Sequence, residues 1–307
     1  MEKVIKYKTF LKDVFICSLG AFGGPEAHYG VFTDQMVTKK RYLNEEELIE
    51  LIALTGILPG PSSTQTIISI GYKIGGPLLA FLTLLVWALP AVIVMTMLSF
   101  LYAFLEKANI SSDVLRFIGP MAVGFILLAS IKIGRKVIKD KLTLSLFMLS
   151  ALMTYFIRNV WIFPLLLGFG AAMAIVKSKE KNLWQKILIR PPYRYVIILF
   201  VFAVSLILLN QLFDQRLLYV FSSFFRYGYL VIGGGQVVIP YMYTDLVETS
   251  QLMTTEEFLT GFGLVQGIPG PMFSFSAYAG SLSLRSSPVI LQWIGAFLAA
   301  IGIFLPG

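Results

Sequence analysis

Hydroxyl side chains follow two Pro-Gly-Pro segments of this chain, at positions 59–61 and 269–271. They belong to Ser62, Ser63, Thr64, Ser274 and Ser276. Proline breaks a helix but is tolerated in its first turn, so each segment should end one helix and begin another. A helix N-terminus offers free backbone N–H groups and about half a positive charge. Together with the hydroxyls, these donors could replace the water around an oxyanion; the alternative is that the serines only cap the helices.

Two glycine-rich segments predict two further breaks, Gly23-Gly24-Pro25 and Gly233-Gly234-Gly235. Four helix N-termini should then point inward, after Gly24, Gly60, Gly235 and Gly270. Glutamines near three of the breaks could add hydrogen bonds to a substrate. The predicted substrate-binding residues are Gly23, Gly24, Pro25, Gly60, Pro61, Ser62, Ser63, Thr64, Gln65, Gly234, Gly235, Gln236, Gln266, Gly270, Pro271, Ser274 and Arg226.

Three ionisable residues stand inside or beside apolar stretches. Glu26 and His28 follow the first glycine-rich break, and Arg226 lies within 217–232. An ionisable group at membrane depth is costly and indicates function. Glu26, with His28 beside it, is predicted to carry a coupled proton. Arg226 could pair with the anion, pair with a carboxylate, or reach the interface from the end of a span.

Metal sites and catalytic residues are not predicted. His28 is the single histidine and Cys17 the single cysteine, which excludes a histidine cluster, a multi-cysteine metal site and an intrachain disulfide. We expect no cofactor and read Cys17 as a small packing residue.

The breaks belong to a repeat. Pro59-Gly60-Pro61 recurs 210 positions later, and the same offset carries Glu46-Glu47 onto Glu256-Glu257. In both copies a polar residue, Asn44 or Thr254, stands three positions before a glutamate, which predicts a capping box. Helix breakers kept in two copies of an apolar chain are typical of secondary transporters with interrupted helices.

Composition places the chain in a membrane. Hydrophobic residues make up 57% and charged residues 14% of the sequence, and the mean hydropathy is +0.78. The net charge of +8 is concentrated in loops beside apolar spans, at 132–141 and 177–194. Such loops are typical of the cytoplasmic side of a membrane protein and argue against nucleic-acid binding.

Topology follows from these basic loops. Five spans are predicted between the repeats, at 77–105, 116–131, 142–157, 160–176 and 195–213, with a kink at Pro90. An odd number of spans inverts the second copy, and the loop at 245–257 accordingly lacks Lys and Arg. We therefore predict an all-α, multi-pass protein of the cell membrane with two inverted repeats and re-entrant helices. Its units are residues 1–176, a basic cytoplasmic linker at 177–194, and residues 195–307.

The motifs resemble those of the chromate ion transporter family. The resemblance lies in residues 22–28 (FGGPEAH), 58–65 (LPGPSSTQ), 233–240 (GGGQVVIP) and 266–273 (QGIPGPMF), in the family's order. It implies a cytoplasmic-membrane transporter that expels chromate, with sulfate as an analogue, driven by the proton gradient or the membrane potential. The implied partners are such an oxyanion, the lipid bilayer and, as an open alternative, a second copy in a homodimer.

Two further expectations follow from this comparison. Leu305-Pro306-Gly307 resembles the region of Leu89-Pro90, after which the first copy continues, so the second copy is expected to be incomplete. The alternatives to a transporter are a channel and a membrane-embedded enzyme acting on another anionic substrate.

Overall fold

The computed structural model describes residues 6–108, 115–157, 159, 162–177, 193–213, 215–231, 235 and 238–307. Within these ranges the secondary structure is helical and includes no strand. The prediction of an all-α protein is confirmed. Most of the predicted linker, residues 178–192, lies outside the described part of the chain.

The first copy begins with two helical hairpins. Helix α1 (Tyr7–Gly20) ends before the first glycine-rich break, and α2 (Pro25–Phe32) begins directly after it, with Pro25 in its first turn. A π-helical segment, Thr33–Lys39, continues α2. Helix α3 (Glu45–Ile57) starts with the predicted capping box, in which Asn44 and Glu47 bond each other's backbone N–H groups. Glycine and proline therefore end the helices where the sequence predicted.

Helix α4, Ser62–Lys107, follows the first Pro-Gly-Pro segment and is broken once. The non-helical residues are Gly75 and Gly76, just before Pro77, whereas the backbone at Pro90 keeps helical angles. At the break, the Tyr7 hydroxyl donates to the Gly75 carbonyl at 2.7 Å. The break occurs at these glycines because glycine adopts the positive φ of 73° found at Gly76, and the kink at Pro90 stays a prediction.

Four helices connect the two copies: α5 (Ile118–Val137), α6 (Lys141–Phe156), α7 (Ile162–Lys177) and α8 (Tyr193–Leu212). Their side chains are mostly exposed and apolar. Of the helices described, α4 and the 118–135 part of α5 are both long and apolar enough to cross a membrane. Three shorter apolar helices lie within α6, within α8 and at 289–304.

The second copy contains α9 (Arg216–Leu230), α10 (Ile239–Tyr243), a π-helical segment (Thr244–Thr249), α11 (Thr255–Gly267), α12 (Phe275–Leu282) and α13 (Val289–Phe304). Its helices begin later after the breaks than predicted. Helix α10 starts at Ile239, with Pro240 in its first turn, rather than directly after Gly235. A 3₁₀ turn, Met272–Ser274, separates Pro271 from α12.

Local geometry recurs between the copies at the 210-residue offset. Arg41 and Gln251, at matching positions, are the described non-glycine residues with positive φ, at 54° and 51°. Each follows a π-helical segment, and each precedes a capping box; the second joins Thr254 and Glu257. Local backbone conformation therefore recurs at the offset that relates the sequence motifs, and the inverted repeat itself stays a prediction.

The core lies between the two copies. Helices α12 and α13 pack together and against α4 and α9, while α11 packs on α5. Fully buried aromatic side chains fill this region: Trp87, Tyr227, Tyr278, Phe10, Phe32, Phe224, Phe225, Phe258, Phe262 and Phe275. This packing brings residues from both ends of the chain to the predicted breaks.

Candidate functional site

Main-chain hydrogen bonds join each Pro-Gly-Pro segment to the other copy. The Gly60 N–H donates to the Val231 carbonyl at 2.8 Å, and the Gly270 N–H donates to the Ala21 carbonyl at 2.8 Å. Ala21 and Val231 occupy matching positions, so the two bonds are reciprocal, as a two-fold relation between the copies would require. Two of the donors predicted for an anion are therefore engaged in joining the copies.

Gly60 and Gly270 also require glycine for steric reasons. Both have a φ of 121°, a conformation that side chains with a Cβ rarely adopt. A Cβ at Gly60 would lie 2.6 Å from Gln65 Nε2 and 2.9 Å from the Cα of Gly307. A Cβ at Gly270 would lie 2.7 Å from the Cβ of Ala91. Gly60 is thus packed against the chain just beyond α13, and Gly270 against the middle of α4, each in the opposite copy.

The hydroxyls that begin α4 bond to ring side chains rather than to helix N–H groups. The Tyr29 hydroxyl donates to Ser62 Oγ at 3.2 Å, and Trp87 Nε1 donates to Thr64 Oγ1 at 3.1 Å. Neither hydroxyl has a hydrogen-bond acceptor among the described residues, so each can still donate its own proton. The capping alternative is not what the geometry of α4 shows, because its N-cap, Pro61, has no side-chain cap.

His28 lies beside these hydroxyls. It is 1% exposed, and its Nδ1 lies 2.9 Å from Ser63 Oγ. The ring of Trp87 contacts the imidazole edge-on, with 5.4 Å between ring centroids. Within the described part of the chain, His28 Nε2 is buried without a hydrogen-bond partner. A buried polar atom left unpaired is unfavourable, so this nitrogen is a strong candidate to contact a ligand.

A narrow cavity of about 10 Å³ lies where the helix breaks, which we call hinges, meet. Its walls are His28, Pro61, Ser62, Ser63, Thr64, Gly235, Pro271, Met272 and Phe273. Three of the four predicted breaks therefore contribute to one site, and both copies line it. The volume admits about one water molecule, so the structure is closed around the site.

Other predicted residues serve mainly the local structure. Gln65 Nε2 donates to the Pro59 carbonyl at 2.7 Å, and its Oε1 is buried without a partner in the described residues. Ser274 Oγ donates to the Pro271 carbonyl at 2.8 Å. Gln266 Nε2 lies 3.7 Å from Met272 Sδ. These contacts support the two Pro-Gly-Pro turns and leave one unpaired acceptor, on Gln65.

Arg226 pairs with a carboxylate, which is one of the roles considered for it. Its Nη2 lies 2.5 Å from Asp245 Oδ2, and its guanidinium lies 5.9 Å from the ring centroid of Tyr227. It is not among the residues lining the narrow cavity.

The first glycine-rich break forms a sharp turn, and part of the second lies outside the described residues. Gly233, Gly234 and Gln236 lie outside the described residues, as do the side chains of Pro25 and Glu26. Gly23 and Gly24 have φ angles of 79° and 93° and form the turn between α1 and α2. Their positive φ confirms a sharp break at that point.

Sequence reasoning missed four residues that the fold brings into buried polar contacts: Tyr29, Trp87, Asp13 and Asp245. Trp87 lies in the middle of an apolar span, whereas membrane tryptophans are enriched at the interfaces, so its unusual position could have indicated a polar partner. Asp13 is a charged residue within the apolar part of α1, which is a similar indication. Nothing in the sequence singles out Tyr29.

A second, larger cavity of about 670 Å³ opens between α5–α7 and the start of the second copy. Its lining includes apolar residues such as Ile126, Phe163 and Leu259, together with Tyr243 and Thr255. These two bond each other at 2.9 Å. The cavity therefore reaches α10, which follows the second glycine-rich break.

An all-α chain with duplicated helix breaks around a closed polar site has the architecture of a membrane transporter. A sequence model of the family described as chromate transporter matches residues 9–176 and 218–307. The chain belongs to the chromate transporter family. The relatives it matches are transport proteins, and the expectation that it is not an enzyme is confirmed on that basis.

Individual relatives are distant but extensive matches. The chain is 26% identical over 295 residues to a probable chromate transport protein of Synechococcus elongatus, covering 95% of this chain and 72% of the relative. It is 25% identical over 288 residues to a chromate transport protein of Pseudomonas aeruginosa, covering 93% and 67%. A chromate transport protein of Cupriavidus metallidurans is 24% identical over 294 residues, covering 93% and 68%. No solved structure matches the chain.

Proposed function

We propose that this protein expels a tetrahedral oxyanion, chromate or the similarly shaped sulfate, through the site at which the hinges meet. The observation that carries the proposal is the buried, unpaired Nε2 of His28, a residue that lines a cavity built by both copies. Hydroxyls of Ser62 and Thr64 stand beside it at the N-terminus of α4. Donors of this kind, at the positive end of a helix, suit a poorly hydrated anion.

Transport by this site requires the closed structure to open. A tetrahedral oxyanion is larger than the single water that the cavity admits, so the anion must be exchanged in conformations that open toward one side or the other. Inverted repeats supply two such conformations of similar energy, because each copy can adopt the state of the other. The reciprocal bonds of Gly60 and Gly270 are the contacts that would separate and re-form.

Outward direction is supported by charge. Lys39, Lys40 and Arg41 stand at the end of the first π-helical segment and directly after it, whereas the loop at 245–257 of the second copy holds four acidic residues and no Lys or Arg. Under the proposed topology, basic residues face the cytoplasm, where they would attract the anion. A membrane potential that is negative inside also drives a divalent anion outward, by about 2.3 kcal/mol per charge at 100 mV.

The direct test is flux of radiolabelled chromate and sulfate in vesicles of defined orientation. Inside-out vesicles should accumulate chromate, with saturation, when the interior is made positive, and excess sulfate should compete. Vesicles from cells without the protein are the control. Flux that does not saturate would favour a channel, and absence of flux for both anions would overturn the proposed substrate. A membrane-embedded enzyme would show product formation without net flux.

His28 gives the first residue-level prediction. Asparagine places an amide near the Nδ1 position and glutamine places one near Nε2, so the two variants separate the two ring nitrogens. His28→Asn should raise the KM for chromate about 10- to 150-fold, the equivalent of about 1.5–3 kcal/mol for a hydrogen bond to a charged group. His28→Gln should lose less, because it keeps a donor near the cavity.

The matched control for His28 is Gly30→Ala on the same helix, where a Cβ would meet nothing within 4 Å. It should transport as the parent does. A parental KM in His28→Asn, measured at equal protein per vesicle, would remove His28 from the site.

Proton coupling is assigned to Glu26, as the sequence suggested. A divalent anion at membrane depth is compensated better when a nearby carboxylate is protonated, so Glu26 should bind a proton together with the anion. Glu26→Gln mimics the protonated form and should still bind chromate, but lose the pH dependence of transport. The measurement is the initial rate of chromate flux, driven by the membrane potential, in vesicles buffered at values across about pH 5.5–8. An unchanged pH profile would favour transport driven by the membrane potential alone.

A further inference from the structure

A buried aspartate ties together the first hairpin, which runs from α1 through the π-helical segment Thr33–Lys39. Asp13 on α1 is 1% exposed, and Lys40 Nζ lies 2.9 Å from its Oδ1. The Tyr42 hydroxyl donates to Oδ2 at 2.6 Å, and Gln35 Nε2 donates to Oδ1 at 3.4 Å. Burial and the bond to Asp13 raise the pKa of Tyr42, so its phenol remains a donor. We call Asp13, Gln35, Lys40 and Tyr42 clamp one.

A second aspartate ties together the second hairpin, which runs from α9 through Thr244–Thr249. Asp245 is 2% exposed, and both Arg226 Nη2, at 2.5 Å, and the Tyr227 hydroxyl, at 2.6 Å, bond its Oδ2. Ser250 Oγ donates to Oδ1 at 3.3 Å. We call Arg226, Tyr227, Asp245 and Ser250 clamp two.

The two clamps occupy the same junction with opposite polarity. Gln35 and Asp245 are at matching positions of the repeat, and so are Lys40 and Ser250. In clamp one the carboxylate lies on the helix before the glycine-rich break and the cation lies after it. In clamp two the cation lies before the break and the carboxylate lies after it. Each clamp therefore holds the two arms of its hairpin together by an ion pair and a tyrosine.

Stability alone does not account for these pairs. An ion pair with a buried partner is often no more stabilising than well-packed apolar residues, because both charges lose hydration. In both clamps the carboxylate is buried, while the cation remains partly exposed, 40% for Lys40 and 31% for Arg226. The cation can therefore separate from the carboxylate and become hydrated by a rotation of its side chain. Each clamp also involves a π-helical segment, a conformation frequent at functional sites.

Opening a hairpin would act on the hinge of the opposite copy. Ala21 directly follows α1 and accepts from the Gly270 N–H, whereas Val231 directly follows α9 and accepts from the Gly60 N–H. Movement of α1 away from its partner arm would pull on the first bond, and movement of α9 would pull on the second. The clamps are thereby connected to the two Pro-Gly-Pro turns, whose Pro61 and Pro271 line the narrow cavity.

We propose that clamp one and clamp two are the two gates of the transporter, which open in alternation and on opposite sides of the membrane. This inference rests on the proposed transport function and on the inversion of the copies. A closed clamp keeps the two arms of its hairpin together and blocks its side of the membrane. When the other clamp is released, its hairpin opens and exposes the shared cavity to the opposite side. Breaking a clamp should therefore bias access toward its own side.

The test measures access to the cavity directly. Met272, which is 6% exposed and lines the narrow cavity, is replaced by cysteine in a Cys17→Ser background. A membrane-impermeant maleimide is then applied to right-side-out and to inside-out vesicles. Asp13→Asn should raise the labelling rate at least about fivefold from the side that carries the 39–41 turn, and Asp245→Asn should do so from the other side.

A single substitution leaves one charge of the pair without its partner and could cause misfolding, so double variants are also tested. Asp13→Asn with Lys40→Gln, and Asp245→Asn with Arg226→Gln, remove both charges at nearly constant volume and leave no unpaired buried ion. They should fold and show the same side-selective increase. Asp34→Asn is the matched control, because Asp34 and Lys39 form an exposed pair on the same π-helical segment. It should leave the labelling rate unchanged.

Two results would contradict the proposal that the clamps are gates. Increased labelling from the same side in both clamp variants would contradict alternation, and unchanged labelling in correctly folded double variants would make the clamps structural only. The readout does not depend on the substrate. Side-selective labelling without chromate flux would therefore contradict the proposed substrate but still support the gate proposal.

Discussion

Replacing Gly60 or Gly270 with alanine should abolish chromate transport while the protein still reaches the membrane. Both positions combine a φ of 121° with a Cβ that would lie under 3.0 Å from its neighbours. An added methyl group would therefore displace the turn and the reciprocal hydrogen bond to the opposite copy. A displacement of about 1 Å at a positioned site reduces rates about 100-fold, so we expect a loss of at least that size.

The measurement is the initial rate of chromate accumulation in inside-out vesicles, at equal protein per vesicle. Gly56→Ala is the control, because it lies four positions before Gly60, on α3, and a Cβ there meets nothing within 4 Å. For the second hinge, adding Ala91→Gly to Gly270→Ala removes the close contact but not the backbone strain, and should restore transport only in part. Parental rates in both single variants would show that the turns do not form the transport site.

The second large effect concerns topology: the two copies should expose matching positions on opposite sides of the membrane. Thr38 and Thr249 lie at nearly matching positions of the two π-helical segments, and both are exposed. Cysteines placed there, in a Cys17→Ser background, should react with an impermeant reagent from opposite sides of the membrane. The physical reason is the odd number of spans predicted between the copies, together with the absence of Lys and Arg from 245–257.

Intact cells and inside-out vesicles give the two arms of this test. Each cysteine should label in one preparation and be silent in the other, and the preferred preparation should differ between the two sites. Permeabilised membranes, in which both must react, control for buried or unreactive thiols. Labelling of both sites from one side would refute the inverted arrangement and, with it, the placement of the two gates.

Local rules made one helix start predictable in each copy. Asn44 with Glu47 and Thr254 with Glu257 form the expected capping boxes, because these contacts span three residues and need no tertiary context. In the second copy the helices begin at Ile239 and Phe275, several residues after the glycines, although the sequence predicted immediate starts. Proline in a first turn marks the beginning of α10, whereas Gly235 lacks that restriction on φ.

Contacts across the fold were beyond sequence reasoning. Arg226 had three predicted roles, and only packing against Asp245, 19 residues away, selected one. Trp87 reaches Thr64 across 23 residues, and Tyr29 reaches Ser62 across 33. The first bond depends on the break of α4 at Gly75 and Gly76, which lets its two parts approach each other, and the second depends on how α2 packs against α4.

The sequence by itself determined the class of this protein, an all-α membrane transporter with duplicated breaks, because glycine, proline and apolar runs act on the backbone locally. It also identified Gly60 and Gly270, His28 and the hydroxyls that follow Pro61 as candidate site residues. Tertiary structure decided that the Gly60 and Gly270 N–H groups bond the opposite copy, and that His28 Nε2 is left unpaired. The reason is that a buried donor takes whichever acceptor the packing places within about 3 Å, and that acceptor comes from a distant part of the chain.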